Sequence, residues 1–400
     1  MLPPPPAQAL PDDLLEEIFL RLPPDEPGCL VRASLASKLW LGLLSGDRFR
    51  GRYREFHGAP PMLGFLRSWP PYSGQGVPDF VSTTKFGLDI PDDGWWGLNY
   101  RPLDCRHGRV VLAGGTGFVV WDPMTDNRMK LEAPDEYIRA ASHGAAMLCG
   151  CDHRACHQSP FGVVFVYLHE GEGEDDFIAS AGGCVSEPAE WSKLCPDVHQ
   201  WSEAGSDIHL EGRPWLYPSP PVLAQDALHF MLSSDDYLIQ ILKYDFDLSS
   251  CCLSLIDAPL DLIDADLILL AMEDGSLGVA QVGGFTLYRW SRQMGSDGVA
   301  SWTQLTIIDL EKLLPIQNPK SLRWKEIPEL VGSVEGSDTI FVTMDLGIYE
   351  INLKTLRWKS LCKGEKFRRL ITNTRALIPY MSFYNPQERA STVMRHIDDV

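Results

Sequence analysis

From about residue 60 onward, short apolar segments alternate with turns rich in Gly, Pro, Asp and Ser, in a loosely repeated unit. This pattern is typical of many short β-strands. Each unit has an apolar segment, a turn, a segment with an aromatic residue, a second turn and a segment that ends in leucine. The units span residues 109–131, 162–194, 227–255, 267–305 and 339–361. Their closing leucines lie 50 to 63 residues apart, somewhat more than the period of about 50 of kelch repeats.

This spacing fits a propeller blade of four antiparallel strands with one long loop. Residues 61–90 and 376–383 then supply strands of one further blade. Pairing the two ends of the β-part in this way satisfies strand edges that an open array leaves exposed. We therefore predict an α+β chain in which a helical module precedes an all-β propeller, with six blades favoured over five or seven. An ordinary pair of β-sandwiches with coincidental spacing is the alternative.

The first 60 residues have a helical period instead. Apolar residues recur at helical spacing behind Pro11, namely Leu10, Leu14, Leu15, Ile18 and Leu22, and Pro23 ends this helix. A second helical pattern runs from about Leu30 to Leu44. A helical unit of ~40 residues buries too little surface to be stable alone. Some of its apolar residues therefore face either another protein or the β-part, and periodicity leaves both open.

The string from Leu10 to Pro24, continued by Leu30–Trp40 and then Phe49, resembles an F-box. It has the opening Leu-Pro, the Ile and Leu-Pro that close the first helix, the Lys-x-Trp and a following Phe. The resemblance implies a three-helix module that docks onto the small Skp-type adaptor of a Cullin–RING ubiquitin ligase. The residues that it places on the adaptor-facing surface, or packed directly behind it, are Leu10, Pro11, Leu14, Ile18, Leu30, Val31, Leu35 and Trp40. The sequence does not separate contact residues from core residues within this set.

The β-part also resembles the domain that follows the F-box in many plant F-box proteins. The resemblance is carried by residues 104–112, 120–123 and 150–157, the last ahead of residues 160–166. With the F-box, it covers most of the chain.

Four regions follow from these patterns. A Pro-rich N-terminus is predicted to be disordered, a helical F-box module and a β-propeller-like substrate-receptor domain follow, and a tail ends the chain. Their predicted bounds are residues 1–9, 10–57, 61–386 and 387–400.

The chain has 35 Lys and Arg against 54 Asp and Glu, which gives a formal charge of −19, and residues 1–60 contribute only −1 of it. So acidic a balance argues against binding to nucleic acid or to anionic membranes. No apolar run approaches the ~20 residues that span a bilayer. We expect a cytoplasmic or nuclear protein whose ten cysteines are reduced thiols.

The densest group of metal-ligand residue types is Cys149, Cys151, His153, Cys156 and His157. Structural zinc sites usually take paired ligands from two separate turns, and no second Cys/His pair lies nearby in the sequence. We therefore expect neither a metal nor a cofactor. Ser, His and Asp residues are too numerous and too scattered for the sequence to identify a catalytic triad. The sequence also has no Gly-x-Ser-x-Gly nucleophile elbow. The sequence thus gives no support for enzymatic activity.

Two acidic segments stand out in the β-part, residues 170–176 and 257–266. If they converge on one face, that face favours a basic partner. The irregular segment Cys195–Pro221 is the best sequence candidate for contacts with a target protein, through Trp201, Trp215 and Tyr217.

Together these patterns predict the substrate-recognition subunit of an SCF-type (Skp–Cullin–F-box) ubiquitin ligase, in which the helices bind the adaptor and the propeller binds the target. One rival is a scaffold that binds the adaptor without promoting turnover. The other is a propeller enzyme of the kelch-oxidase or hydrolase kind with a degenerate F-box.

Overall fold

The computed structural model describes residues 10–68, 79–85, 87, 100–114, 117–133, 135–140, 142–149, 161–173, 176–185, 202–203, 207–235, 238–247, 250–259, 266–296, 298–315, 328–344, 347–363 and 376–384.

Residues 10–57 form four helices. They are α1 (Asp12–Phe19), α2 (Pro27–Ala36), α3 (Lys38–Ser45) and α4 (Asp47–His57). Pro11 precedes α1, and Asp12 and Asp13 occupy its first turn, where the helix dipole favours negative charge.

The single helix predicted over residues 30–44 is two helices, so the module has one helix more than the resemblance implies. The chain leaves helical geometry at Ser37, which has φ −158° and ψ 141°. The Ser37 hydroxyl accepts a hydrogen bond from the Leu39 N–H at 3.2 Å, and this N-cap starts α3. The helical spacing of apolar residues continues across the break, which is why the sequence pattern predicts one helix.

Strands form six sheets in the part of the chain that the structure describes, and these are the blades of a propeller. Blade 1 contains β1 (Met62–Ser68), β2 (Asp79–Ser82) and β25 (Ala376–Met381). Blade 2 contains β3 (Arg101–Arg106), β4 (Arg109–Gly114), β5 (Gly117–Asp122) and β6 (Asn127–Glu132). Blade 3 contains β7 (Ser142–Cys149), β8 (Phe161–Glu170), β9 (Asp176–Val185), β10 (Ser202–Glu203) and β11 (Ile208–Glu211).

Blade 4 contains β12 (Trp215–Leu216), β13 (Val222–Ala224), β14 (Ala227–Ser233), β15 (Ile239–Asp247) and β16 (Ser250–Asp257). Blade 5 contains β17 (Asp266–Ala271), β18 (Leu277–Gly283), β19 (Thr286–Met294) and β20 (Ala300–Asp309). Blade 6 contains β21 (Glu329–Val334), β22 (Thr339–Met344), β23 (Gly347–Asn352) and β24 (Trp358–Lys363). Two short helices lie between blades, α5 (Asp135–Arg139) and α6 (Leu310–Leu313).

Six inner strands surround the axis and contact one another in a closed ring, in which β25 lies between β21 and β3. The predicted closure is confirmed, because β25 pairs antiparallel with β1 and places Ile378 opposite Leu66. The predicted repeat is also present. Closing leucines of four units, Leu131, Leu255, Leu305 and Leu361, lie in the outermost strands of blades 2, 4, 5 and 6. The fifth, Leu194, lies outside the described residues.

The helices share one hydrophobic core with blades 1 and 2. Leu15, Phe19 and Phe49 from the helices belong to the same buried cluster as Leu66 and Trp121 from the blades. The cluster reaches the end of β25, where the ring of Phe383 lies 5.9 Å from that of Tyr53.

The helices therefore cover the end of the propeller at which β25 finishes. A full blade has four antiparallel strands, so each inner strand runs along the propeller axis in the same direction as the inner strand of the next blade. All of them end on this side, which we call the helix face, and begin on the opposite side, the open face.

Candidate functional site

Five of the eight residues predicted for the adaptor surface are exposed. Leu10 and Leu14 are each 51% exposed, Ile18 is 49% and Leu35 is 46%, and Pro11 is also exposed. Large apolar side chains this open on a helix that is buried on its other side mark a surface that another protein can cover. We call Leu10, Leu14, Ile18 and Leu35 the apolar stripe.

The other three predicted residues belong to the interior. Leu30 and Val31 are 1% and 2% exposed and lie in the core shared with the propeller. Trp40 is half-buried, with its ring edge-on to Phe19 at 5.2 Å. The structure thus separates the contact candidates from the core, which the sequence could not do.

Two exposed apolar residues of the helices, Leu39 and Phe56, escaped the sequence prediction. Leu39, at the start of α3, is 53% exposed, and α3 packs against α1. It lies four residues after Leu35, and that spacing is the signal that could have identified it.

Ion pairs from α4 hold α1 with its apolar stripe outward. Arg52 contacts the buried carboxylate of Glu16 at 2.8 Å and that of Glu17 at 2.5 Å. Hydrogen bonds from Arg52 and then Arg21 lower the pKa of Glu17. Arg48 lies 3.6 Å from Glu16 as well. Since Glu16 and Glu17 point to α4, the opposite side of α1 carries Leu14 and Ile18.

A cavity of about 110 Å³ lies on the propeller axis. Inner strands of blades 1, 2, 5 and 6 line it, together with residues of blade 4 between Tyr217 and Val222. Residues 217–221 separate β12 from β13, so the inner strand of blade 4 is split. Pro218, Pro220 and Pro221 account for the split, because proline has no N–H to donate to the ladder with β14. The segment consequently leaves the sheet and projects to the axis.

Arg106 closes the cavity on the helix-face side with five hydrogen bonds. Its Nη1 donates to Asp104 Oδ2 at 2.7 Å and to the Met147 carbonyl at 3.3 Å. Its Nε and Nη2 donate to the Glu335 carboxylate at 2.9 and 3.0 Å. Nη2 also donates to the Pro221 carbonyl at 2.6 Å. One buried guanidinium thus ties blade 2 to blades 3, 4 and 6.

Burial and ion pairing have opposing effects on the pKa values of the two carboxyl groups in this network. Burial raises the pKa of Asp104 to about 6, although the Arg106 guanidinium opposes the shift. Burial also acts to raise the pKa of Glu335, but Arg106 and the Leu223 N–H outweigh it, so the net shift is downward. With every N–H of Arg106 engaged, the network stabilises the ring and leaves no donor for a ligand.

The three aromatic residues predicted to contact a target have different environments. Tyr217 is 38% exposed and lines the axial cavity. Trp215 is half-buried in β12. Trp201 lies outside the described residues.

The described ends of the two acidic segments share the open face. Strand β8 ends there at Glu170, β16 ends there at Asp257 and β17 begins there at Asp266. Glu172 and Asp235 lie in loops on the same face. The described parts of both segments therefore lie on one face, and the basic partner stays a prediction. Glu174, Asp175, Asp261 and Asp264 lie outside the described residues.

The predicted absence of a metal stays a prediction. Cys149 ends β7, and the other four residues of its cluster lie outside the described residues. In the part of the chain that the structure describes, no three His, Cys, Asp or Glu residues are placed to hold a metal ion. None of the described helices is long and apolar enough to cross a membrane.

Comparison with known families decides what the helical module is. Residues 8–50 match the F-box domain. The chain therefore carries an F-box, followed by a six-bladed propeller. No curated protein matches the sequence.

Solved structures resemble this chain only at the level of the fold. The WD40 domain of SCAP from fission yeast is 13% identical over 69% of this chain and 58% of its own, with a TM-score of 0.36. A fucose-specific lectin from Aleuria aurantia is 12% identical over 68% of this chain and 74% of its own, with a TM-score of 0.33. Dipeptidyl peptidase 4 from Porphyromonas gingivalis is 12% identical over 72% of this chain and 40% of its own, with a TM-score of 0.31. The chain spans less than two thirds of the first and third, and none of these likenesses assigns an activity.

Proposed function

We propose that the protein is the substrate-recognition subunit of an SCF-type ubiquitin ligase. The observation that carries the proposal is the F-box match at residues 8–50, together with the half-exposed apolar stripe, whose residues lie just before α1, on α1 and on α2. A Skp-type adaptor would cover this stripe and connect the chain to a Cullin–RING ligase. The resemblance of the β-domain to that of plant F-box proteins is consistent with this role.

The propeller would bind the target protein on its open face. The F-box helices cover the helix face, so the adaptor and the target occupy opposite ends of the molecule. Acidic loops at Glu170–Glu172 and Asp257 favour a basic segment of the target, and Tyr217 supplies an exposed aromatic ring at the axis.

No bond chemistry is needed from this chain in that role. Holding a target beside the conjugating enzyme raises the effective concentration of its lysines, which accelerates transfer without a catalytic residue. The shared core of helices and blades fixes the distance between adaptor and target, and such a rigid connection suits a receptor. Action in the cytoplasm or nucleus, where Cullin–RING ligases operate, is part of the proposal.

The test replaces Leu14 and Ile18 together by Asp. Both side chains are half-exposed in the free chain, so folding is preserved, whereas burying the new carboxylates under an adaptor costs several kcal/mol. We expect at least a ~100-fold loss of adaptor affinity, measured by titrating purified Skp-type adaptor. Leu238→Asp is the matched control, because Leu238 is 58% exposed and lies on the open face.

Undiminished adaptor binding by the double variant would refute the proposed role of the stripe. The scaffold alternative is separated by a second readout. Wild-type chain, adaptor, Cullin and RING subunits are combined with captured targets, and ubiquitin chains on those targets are measured. Adaptor binding without ubiquitin transfer would favour the scaffold.

A further inference from the structure

Three polar residues meet where blades 2 and 3 adjoin on the open face. Arg101 is the first residue of β3, His143 is the second residue of β7, and Tyr137 lies in α5, which connects the two blades. An Arg101 Nη2–H donates to the His143 carbonyl at 3.2 Å. The rings of Tyr137 and His143 lie 4.5 Å apart. The chain thus brings together a guanidinium, a phenol and an imidazole.

The hydrogen-bonding capacity of this cluster is largely unused. Within the described residues, Arg101 has one hydrogen bond and no carboxylate partner, although it is half-buried. Tyr137 is 2% exposed, and its hydroxyl has no partner among them. The same holds for the buried Nδ1 atom of His143. Buried charges are normally paired and buried polar atoms normally bonded.

Arg106 at the other end of β3 shows the contrast. Its guanidinium makes five hydrogen bonds, three of them to carboxylates. Burial lowers the pKa of Arg101, as expected for a cation without a counter-charge. The nearby carboxylate of Asp135 pairs with Arg139 at 3.3 Å. Arg101 therefore has donors available for an anion from outside.

We infer that Arg101, Tyr137 and His143 form a binding pocket for a carboxylate group. Two parallel N–H groups of the guanidinium match the two oxygens of a carboxylate, and the Tyr137 O–H and the His143 Nδ1–H can donate to the remaining lone pairs. Burial lowers the pKa of His143 to about 4, so at neutral pH the imidazole is an uncharged donor. One guanidinium neutralises one negative charge, which fits a carboxylate better than a phosphate dianion. The inference does not rest on the proposed ligase function.

The test uses sodium acetate as the probe. Thermal unfolding of the full chain is followed at pH 7.5 in increasing acetate, against sodium chloride at the same ionic strength. We expect a saturable rise in Tm in acetate only, because a ligand that binds the folded state alone stabilises it. Tyr137→Phe should weaken the apparent affinity about tenfold, since it removes one hydrogen bond to a charged group. Arg101→Met should abolish the response.

A second measurement separates a binding role from a structural one. In chloride alone, Tyr137→Phe should keep the wild-type Tm, because its hydroxyl has no partner to lose. Arg128→Met is the control for removing an arginine from blade 2. Arg128 pairs with Asp126 at 2.8 Å, so this variant should keep the wild-type response to acetate.

Equal Tm values in acetate and chloride would overturn the inference, as would an acetate response that persists in Arg101→Met or a stronger response to phosphate. Two peptides distinguish the source of the carboxylate. If a short peptide with a free C-terminus competes with acetate and its C-terminal amide does not, the pocket accepts chain ends. If neither competes while acetate still binds, the pocket is reserved for small free carboxylates.

Discussion

Replacing the Arg106 guanidinium by the Arg106→Met substitution should destabilise the propeller more than the loss of any exposed ion pair would. The methionine has a similar length but no donors, so the buried carboxylate of Asp104 loses a 2.7 Å hydrogen bond and the carboxylate of Glu335, whose side chain is 36% exposed, loses two. The carbonyls of Met147 and Pro221 lose theirs as well. Breaking a buried ion pair from one side typically costs ~3–5 kcal/mol. We expect a loss of about this size in the free energy of unfolding.

The assay is equilibrium unfolding in urea, with Arg139→Met as the matched control. Arg139 pairs with Asp135, and their side chains are 74% and 76% exposed, so its removal should cost at most about 1 kcal/mol. A double-mutant cycle of Arg106→Met with Glu335→Gln should be non-additive, because the second change removes the charge that the first leaves unpaired. A loss below 1 kcal/mol for Arg106→Met, or additive losses in the cycle, would refute the idea that this network ties the blades together.

Two further predictions concern acid stability and ring closure. Burial lowers the pKa of His143 and of His229 to about 4, from 6.5 in the unfolded chain, so their contribution to stability is complete above pH 6.5 and is lost as the pH falls from there through 4. The His229→Asn variant should show a shallower loss of stability over that window than the wild type in urea titrations, and equal slopes would contradict it. Deleting residues 376–400 removes β25 and exposes an edge of β1, so the truncated chain should aggregate in size-exclusion chromatography. A monomeric truncated chain with an unchanged Tm would argue against closure by this strand.

The sequence predicted the propeller and its closure because these depend on local signals. Outer strands end in leucine and are separated by turn residues. This pattern can be recognised in the sequence without knowing which strands pair with one another. The units read from the sequence nonetheless begin at the second strand in most blades. Inner strand β3 is buried at the axis, but it carries Asp104 and Arg106. Charged residues are not typical of a buried strand, so the sequence pattern does not indicate one there.

The Arg106 network was beyond sequence reasoning for a physical reason. Its partners Met147, Pro221 and Glu335 lie 41, 115 and 229 residues away along the chain, and only ring closure brings them together. The F-box set shows the same limit on a smaller scale. Leu14 and Leu30 have the same side chain, yet one is 51% exposed and the other 1%, because packing against the propeller decides which face is covered.

That packing determines how the function can be tested. Removal of residues 1–60 would strip Phe49 and Tyr53 from a core that also contains Leu66, Trp121 and Phe383. Since truncating one buried aromatic side chain costs ~3–5 kcal/mol and whole domains are stable by only ~5–15 kcal/mol, we expect the shortened chain to aggregate or to unfold at a much lower temperature. Light scattering and circular dichroism of the purified fragment measure both effects.

Loss of target binding on that deletion would therefore not show that the helices contact the target. The Leu14→Asp and Ile18→Asp double variant leaves the shared core intact, so it should lose the adaptor and keep both its melting temperature and its targets. A shortened chain that stays monomeric with the β-type spectrum and Tm of the full protein would show that the blades fold without the helices. In that case the shared core contributes far less to stability than its burial indicates.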